Sequence, residues 1–331
     1  MEAKGRDGTP TGARYDTSAE GRRVAFFGPQ GTFTEEALFQ LFDKGSCWPL
    51  AFPTIEDVLR AVEEGAAEVA VVPIENSIEG TVSATLDHLV FESELLIQAE
   101  AILDIHLFLL ARRGAALDEV HSVISFPHAT AQCRRFIHEK LGDPKIEAAN
   151  STADAARLVA EELPSGTAAI APRLAAEVYG LEVLAEAIED FPGNQTRFLA
   201  LAPGSVPAPT GHDKTSIVCF QAEDHPGSLH EVLGQFSARS LNLTKIESRP
   251  AKRSLGDYCF SIDFEGHVAD QLVADCLTEL HASLGGCKFL GSYPAAGESG
   301  PSRRQEVSSR RAAARQWLDG LRGFITPPPA A

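Results

Sequence analysis

Val69-Ala70-Val71-Val72-Pro73-Ile74-Glu75-Asn76-Ser77-Ile78-Glu79-Gly80-Thr81-Val82 is the stretch that decides the fold. Its first four residues form a short apolar run that reads as a strand, and a polar loop follows. A helical pattern then begins, with Thr81 placed to cap it. Strand, polar loop and capped helix make the repeating unit of an α/β sheet, and the C-terminal end of a strand is where open sheets of this class bind ligands. Taken alone, Glu75 and Glu79 read as solvated or capping groups.

The same alternation extends in both directions. Short apolar runs recur at Val24 to Phe27, Val120 to Ser125 and Ala168 to Ala171. Thr54 can cap a helix over Ile55 to Glu64, and Ser151 or Thr152 can cap the Ala-rich run to Glu162 before Pro164. Gly28-Pro29-Gln30-Gly31-Thr32-Phe33-Thr34 lies between a strand and a helix starting near Glu35, so it is either an anion-binding loop or a tight glycine turn. It matches neither GxGxxG nor GxxxxGK[ST], and nucleotide binding has no support. Ser125-Phe126-Pro127-His128 opens another helix, with Gln132 on its second turn. Asn194-Gln195-Thr196-Arg197-Phe198 leads from a Pro-Gly turn into a strand, and alone it would be ordinary.

At 331 residues the chain is longer than one core usually spans, so two or three domains are expected, and 44% hydrophobic residues can fill them. The formal charge of −17 argues against a nucleic-acid partner and for a small molecule. Six cysteines form no CxxC pair and stand near no histidine cluster, so no metal is expected and free thiols in a reducing cytoplasm are. The richest apolar stretch, Ala101 to Ala111, contains Asp104 and His106 and is too short for a membrane span.

These signals divide the chain into a disordered leader over 1–21, an α/β region over 22–202, a Pro/Gly-rich linker over 203–213 and a second module over 214–293. The second module reads strand, helix, strand, strand, helix, strand, a ferredoxin-like βαββαβ order. The basic tail, 294–331, is expected to be disordered or partly helical.

In combination the loops resemble the prephenate dehydratases over about residues 22 to 293. Gly28 to Ala37 resembles that family's first motif, Pro73-Ile74-Glu75-Asn76-Ser77 with Glu79-Gly80 its second, and Asn194 with Thr196-Arg197-Phe198 its Thr-Arg-Phe segment. Pro226-Gly227-Ser228-Leu229 and Glu247-Ser248-Arg249-Pro250 resemble the turn and the ligand-binding segment of an ACT domain. Ser125-Phe126-Pro127 departs from the family's frequent Ser-His-Pro, which excludes a histidine role at 126, and Ala171-Pro172 departs from Ala-Ser.

The resemblance implies two catalytic lobes like a type 2 periplasmic binding protein, with substrate in the cleft between them. It implies removal of carbon dioxide and water from prephenate without a cofactor or metal. Thr196 is the implied proton or hydrogen-bond donor to the departing hydroxyl. Asn76, Ser77, Ser125, Gln132 and Thr32 are the implied substrate contacts, together with Arg197 and Glu75. Arg197 should point away from Thr196, its strand neighbour, and Glu75 should repel a dianion.

L-phenylalanine is the implied effector. It would bind between the ACT domains of two subunits of a dimer or tetramer, against Gly227, Ser228 and Leu229 of one and Glu247, Ser248, Arg249 and Pro250 of the other. Arogenate dehydration is the nearest alternative, followed by non-aromatising prephenate decarboxylation and a non-catalytic amino-acid sensor. No fused chorismate mutase is expected, because only 21 residues precede Arg22.

Overall fold

A computed structural model describes residues 21–221, 225–252, 257–297, 316–318 and 320–322. The expected leader, except Gly21, and most of the expected tail lie outside the described residues. In chain order the strands are β1 (Arg22–Phe27), β2 (Cys47–Phe52), β3 (Val69–Asn76), β4 (Gly80–Thr81) and β5 (Leu96–Asp104), then β6 (Phe108–Ala111), β7 (Ser122–Ser125), β8 (Lys145–Ala148), β9 (Thr167–Ala171) and β10 (Glu182–Ala185). β11 (Gln195–Ala202) follows, and then β12 (Asp213–Phe220), β13 (Leu243–Pro250), β14 (Tyr258–Glu265) and β15 (Gly286–Pro294).

The first lobe is a sheet of order β2-β1-β3-β11-β5, with β4 paired to β3. β1 lies parallel to β2 and β3, whereas β11 runs antiparallel to both β3 and β5. Helices Phe33–Leu41 and Ile55–Glu63 cover opposite faces: Leu38 packs with Val69 and Val71, and Leu59 with Ala70 and Val72. Both faces of β3 are therefore dry, which is why Val69 to Val72 is continuously apolar.

The second lobe is a sheet of order β10-β6-β9-β7-β8. The chain enters it after β5 and returns through β11, the neighbour of β5, so two adjacent crossings join the lobes. Ile105 N–H donates to Asn194 O at 2.7 Å between these crossings. The lobes also touch at Gly31, where a Cβ would lie 3.0 Å from Ala175 Cα, and Tyr179 OH donates to Gln30 O at 2.9 Å.

Two expected caps form, Thr54 and Ser151, and Thr32 is a cap the sequence reading did not name; each accepts from the backbone N–H three residues on. Thr81 does not. Helix Ser83–Phe91 follows Val82, which offers no capping group, and Thr81 lies in β4 with its hydroxyl taken by Lys245 and Glu247.

The C-terminal module is a four-stranded sheet of order β13-β14-β12-β15 with helices Ser228–Ala238 and Gln271–Ser283. Ile217, Ile262 and Phe264 pack against Phe236, Val273 and Leu280 on its helical face. Its other face sends Val218, Cys259, Leu290 and Tyr293 into the same core as Leu89, Val90, Leu95 and Ile97 of the first lobe. Gly291 permits that approach, since a Cβ there would stand 2.6 Å from Ile97 O. Among the described residues no helix is long and apolar enough to cross a membrane.

Candidate active site

β3 and β11 pair with Thr196 opposite Asn76 and Arg197 opposite Glu75. Successive side chains of a strand point to opposite faces, so these two cross-strand pairs are committed to different surroundings.

The Asn76 and Thr196 side faces the junction of the lobes. Asn76 Nδ2 donates to Thr196 Oγ1 and to Asn194 Oδ1, each at 2.8 Å. The orientation of this amide follows from its other end, where Asn76 Oδ1 accepts from the N–H groups of Ile78 and Glu79, both at 2.9 Å. Thr196 Oγ1 thus receives a hydrogen bond, and its own proton remains available to a ligand. Ser77 Oγ accepts from Gln195 N–H at 2.9 Å and reaches Asn194 Oδ1 at 3.4 Å. Across the junction, Asn194 Nδ2 donates to Gln132 Oε1 at 3.1 Å. Gln132 Nε2 donates to Glu79 at 3.4 Å, and His128 Nδ1 lies 3.0 Å from the other Glu79 oxygen. Thr196 is 9% exposed and Asn194 4%, so the hydroxyl sits where water is scarce and hydrogen bonds are strong.

The Arg197 and Glu75 side faces the C-terminal module. Arg197 donates to Glu100 at 2.6 Å, to Asp263 at 2.6 Å and to Tyr293 OH at 2.8 Å. Lys214 Nζ also donates to Glu100, at 2.7 Å, and Ser216 Oγ donates to Asp263 at 2.6 Å. Burial alone would raise the Asp263 carboxyl, but the Arg197 charge and the Ser216 hydrogen bond outweigh it and hold the group below the usual range. Glu75 lies 3.6 Å from Arg197 and 3.5 Å from Lys245. Strand alternation thus turns Arg197 and Glu75, both expected as substrate contacts, toward the second domain, where each is paired with opposite charge.

Thr32 and Ser125 also stand apart from the hydrogen-bonded cluster. Thr32 caps its helix and donates to Phe27 O at 3.2 Å. Ser125 is fully buried, with its hydroxyl donated to Ile170 O at 2.6 Å. A groove of about 490 Å³ beside Ser125 is lined by Pro127, Arg134, Ile137 and Ile146, none of them part of the Thr196 cluster.

In the C-terminal module, Gly227 has φ +101° and opens helix Ser228–Ala238, and Leu229 is 37% exposed. Strand alternation divides the later segment. Glu247 and Arg249 turn to the first lobe, where Glu247 meets Thr81 and Arg249 pairs with Asp87. Ser248 and Pro250 are exposed on the opposite side.

Sequence reasoning placed Asn194 in a motif without giving it a role, and it missed the interdomain role of Glu100. A carboxylate inside the apolar strand Leu96–Asp104 was the available signal, because a charge is kept in such a place only when it is paired. Glu35 was missed as well. Burial raises its carboxyl, and it accepts from Gly31 N–H at 2.5 Å, bracing the first glycine loop.

Comparison with known proteins agrees with this architecture. The family model for prephenate dehydratase matches residues 24–205, and that for the ACT domain matches residues 215–282. The prephenate dehydratase of Mycolicibacterium smegmatis is 40% identical over 313 residues, covering 91% of this chain and 97% of that protein. A crystal structure of prephenate dehydratase from Arthrobacter aurescens in complex with L-Phe superposes with a TM-score of 0.80 at 41% identity, covering 90% of this chain and 99% of that one. The structure of GqqA, described as a novel type of quorum quenching acylase, superposes with a TM-score of 0.74 at 32% identity, covering 83% and 98% respectively. With a two-lobed α/β region built around Asn76, Asn194 and Thr196 and an ACT domain packed on its first lobe, the chain belongs to the prephenate dehydratase family.

Proposed function

We propose that the cleft converts prephenate to phenylpyruvate, with Thr196 as the donor to the departing ring hydroxyl. The carboxylate C–C bond breaks, its electron pair enters the ring, and the C–O bond breaks as carbon dioxide and water leave. The protein's task is to stabilise the developing hydroxide. The single observation that carries this reading is the direction of the Asn76 hydrogen bond, which leaves the Thr196 proton free to point at a ligand. Asn76, Ser77, Asn194 and Gln132 hold the substrate with neutral hydrogen bonds, and Thr32 and Ser125 shape the loops around it.

Acylase chemistry, as named for GqqA, is the second reading. An acylase hydroxyl needs a base, and the nearest partner of Thr196 is an amide that cannot accept a proton. Dehydration fits this geometry better. Purified protein incubated with prephenate should yield phenylpyruvate; product from arogenate alone, or from an acyl amide alone, would overturn the assignment.

The ACT domain is proposed to bind L-phenylalanine and to pair two copies of the chain. β13 is an edge strand with Ile246 45% exposed, and an open edge beside exposed apolar groups favours a symmetric partner. Gly227, Ser228 and Leu229 of one copy then face the segment Glu247 to Pro250 of the other through its outward residues, Ser248 and Pro250. Six free cysteines, five of them buried, suit a cytoplasmic enzyme.

A further inference from the structure

Asn76, Ser77, Gln132, Asn194 and Thr196 offer only amides and hydroxyls, whereas the substrate proposed above carries two carboxylates. A dianion enters a closed cleft at high cost unless a cation meets it. Arg197 is held on the other face by Glu100, Asp263 and Tyr293. Among the described residues, no lysine or arginine hydrogen-bonds to any member of the cluster.

Among the described residues, the basic side chain joined to the cluster is His128, through Glu79. It lies one turn before Gln132 on the second-lobe segment that begins with helix Pro127–Ala131, with its side chain 57% exposed. Its ring stacks on Phe126 at 5.3 Å between centroids, which orients the imidazole. One carboxylate occupies the space between His128 and Gln132, and it belongs to the protein: one Glu79 oxygen lies 3.0 Å from His128 Nδ1 and the other accepts from Gln132 Nε2 at 3.4 Å. These are the only hydrogen bond and ion pair of the Glu79 carboxylate among the described residues, and its side chain is 44% exposed and can turn outward. The geometry is that of a carboxylate subsite with an internal occupant.

We propose that His128 and Gln132 bind a substrate carboxylate and that Glu79 fills their place while the cleft is empty. The proposal rests on the reading of prephenate as substrate. Histidine is suited to the task because a bound anion favours its charged form, and a hydrogen bond to a charged group contributes more than a neutral one.

The test is steady-state kinetics of the full chain with prephenate. His128→Gln should raise KM about tenfold with kcat changed by less than about twofold, the effect of losing one charge-assisted contact in binding. His128→Lys should recover most of the KM. Glu79→Gln, which removes the competing carboxylate, should leave KM unchanged or lower it. A KM for His128→Gln within about twofold of the parent overturns the proposal. So does an equal rise in KM for Glu79→Gln, which would make the pair a clasp between the lobes. If the parent protein fails to convert prephenate, the substrate reading itself has failed, a result distinct from either.

Discussion

On the cleft side of the β3 and β11 pair, Asn76 and Thr196 meet through a single neutral hydrogen bond. One residue along, on the opposite side, Glu75 and Arg197 join a cluster with Glu100, Lys214, Lys245 and Asp263. The difference follows from what each face must hold. A face that receives a dianion surrounds Thr196 with neutral groups and holds its carboxylate, Glu79, at the rim. A face that docks a second domain can bury charge, because the partner brings the opposite sign. Since the residues alternate on one strand, an ACT displacement that moves Arg197 also moves the backbone carrying Thr196. That is a physical route for coupling a sensor to a cleft.

The largest expected effect comes from breaking the charged face. Arg197→Leu strands the fully buried Glu100 carboxylate with only Lys214 among the side-chain cations, and leaves Asp263 without its strongest partner. Loss of one member of a buried charge cluster costs roughly 3–5 kcal/mol. Urea unfolding should show a loss of that order, while KM for prephenate under conditions that keep the chain folded stays near its original value. A large rise in KM without loss of stability would return Arg197 to the substrate.

Breaking the neutral face should do the reverse. Thr196→Ala removes a preorganised donor and should lower kcat by about 10²–10³, with the unfolding free energy changed far less. Thr196→Ser keeps the hydroxyl and should retain most of the activity. Comparable turnover for the alanine variant would remove Thr196 from the chemistry.

How much of this contrast was legible in the sequence depended on range. Strand positions followed from apolar runs, and the caps Thr54 and Ser151 followed from Thr or Ser placed directly before a helix. The opposed directions of Thr196 and Arg197 followed from period-two alternation. Thr81 failed as a cap because its competing partners, Lys245 and Glu247, lie more than 160 residues away in the chain. The partner of Ser125 was equally out of view, since its hydroxyl donates to Ile170 O, 45 residues away in the chain. The Glu100, Arg197 and Asp263 cluster exists only after two domains dock, and local propensity carries no record of such a contact.

A smaller effect is expected where the ACT strand touches the first lobe. Glu247 and Arg249 reach Thr81 and Asp87 around the loop that carries Asn76, so Arg249→Met should weaken the response of turnover to L-phenylalanine several-fold by the usual scale of a site-to-site coupling. Turnover without the effector should stay close to the parent's. An unchanged response to L-phenylalanine would separate this contact from regulation.

The smallest effect is a pH dependence of that same contact. A hydrogen bond from Arg249 and a second cation, Lys252, hold the Asp87 carboxyl below its ordinary value. A carboxylate whose folded value is depressed binds fewer protons when folded than when unfolded. Its stabilisation is therefore fully present above the unfolded value of about 3.9 and is lost as pH falls through the lower folded value. Asp87→Asn should cost up to about 1 kcal/mol near neutrality, as befits a partly exposed pair. Because the variant has no such group to protonate, the gap between it and the parent should stay level through the neutral range and close in strong acid. Unfolding free energies measured across that range test this directly: a gap that persists in acid would make the Arg249 and Asp87 contact one of packing or neutral hydrogen bonding rather than charge. The charged face would then meet strand β13 through Lys245 and Glu75 and not through Arg249 and Asp87.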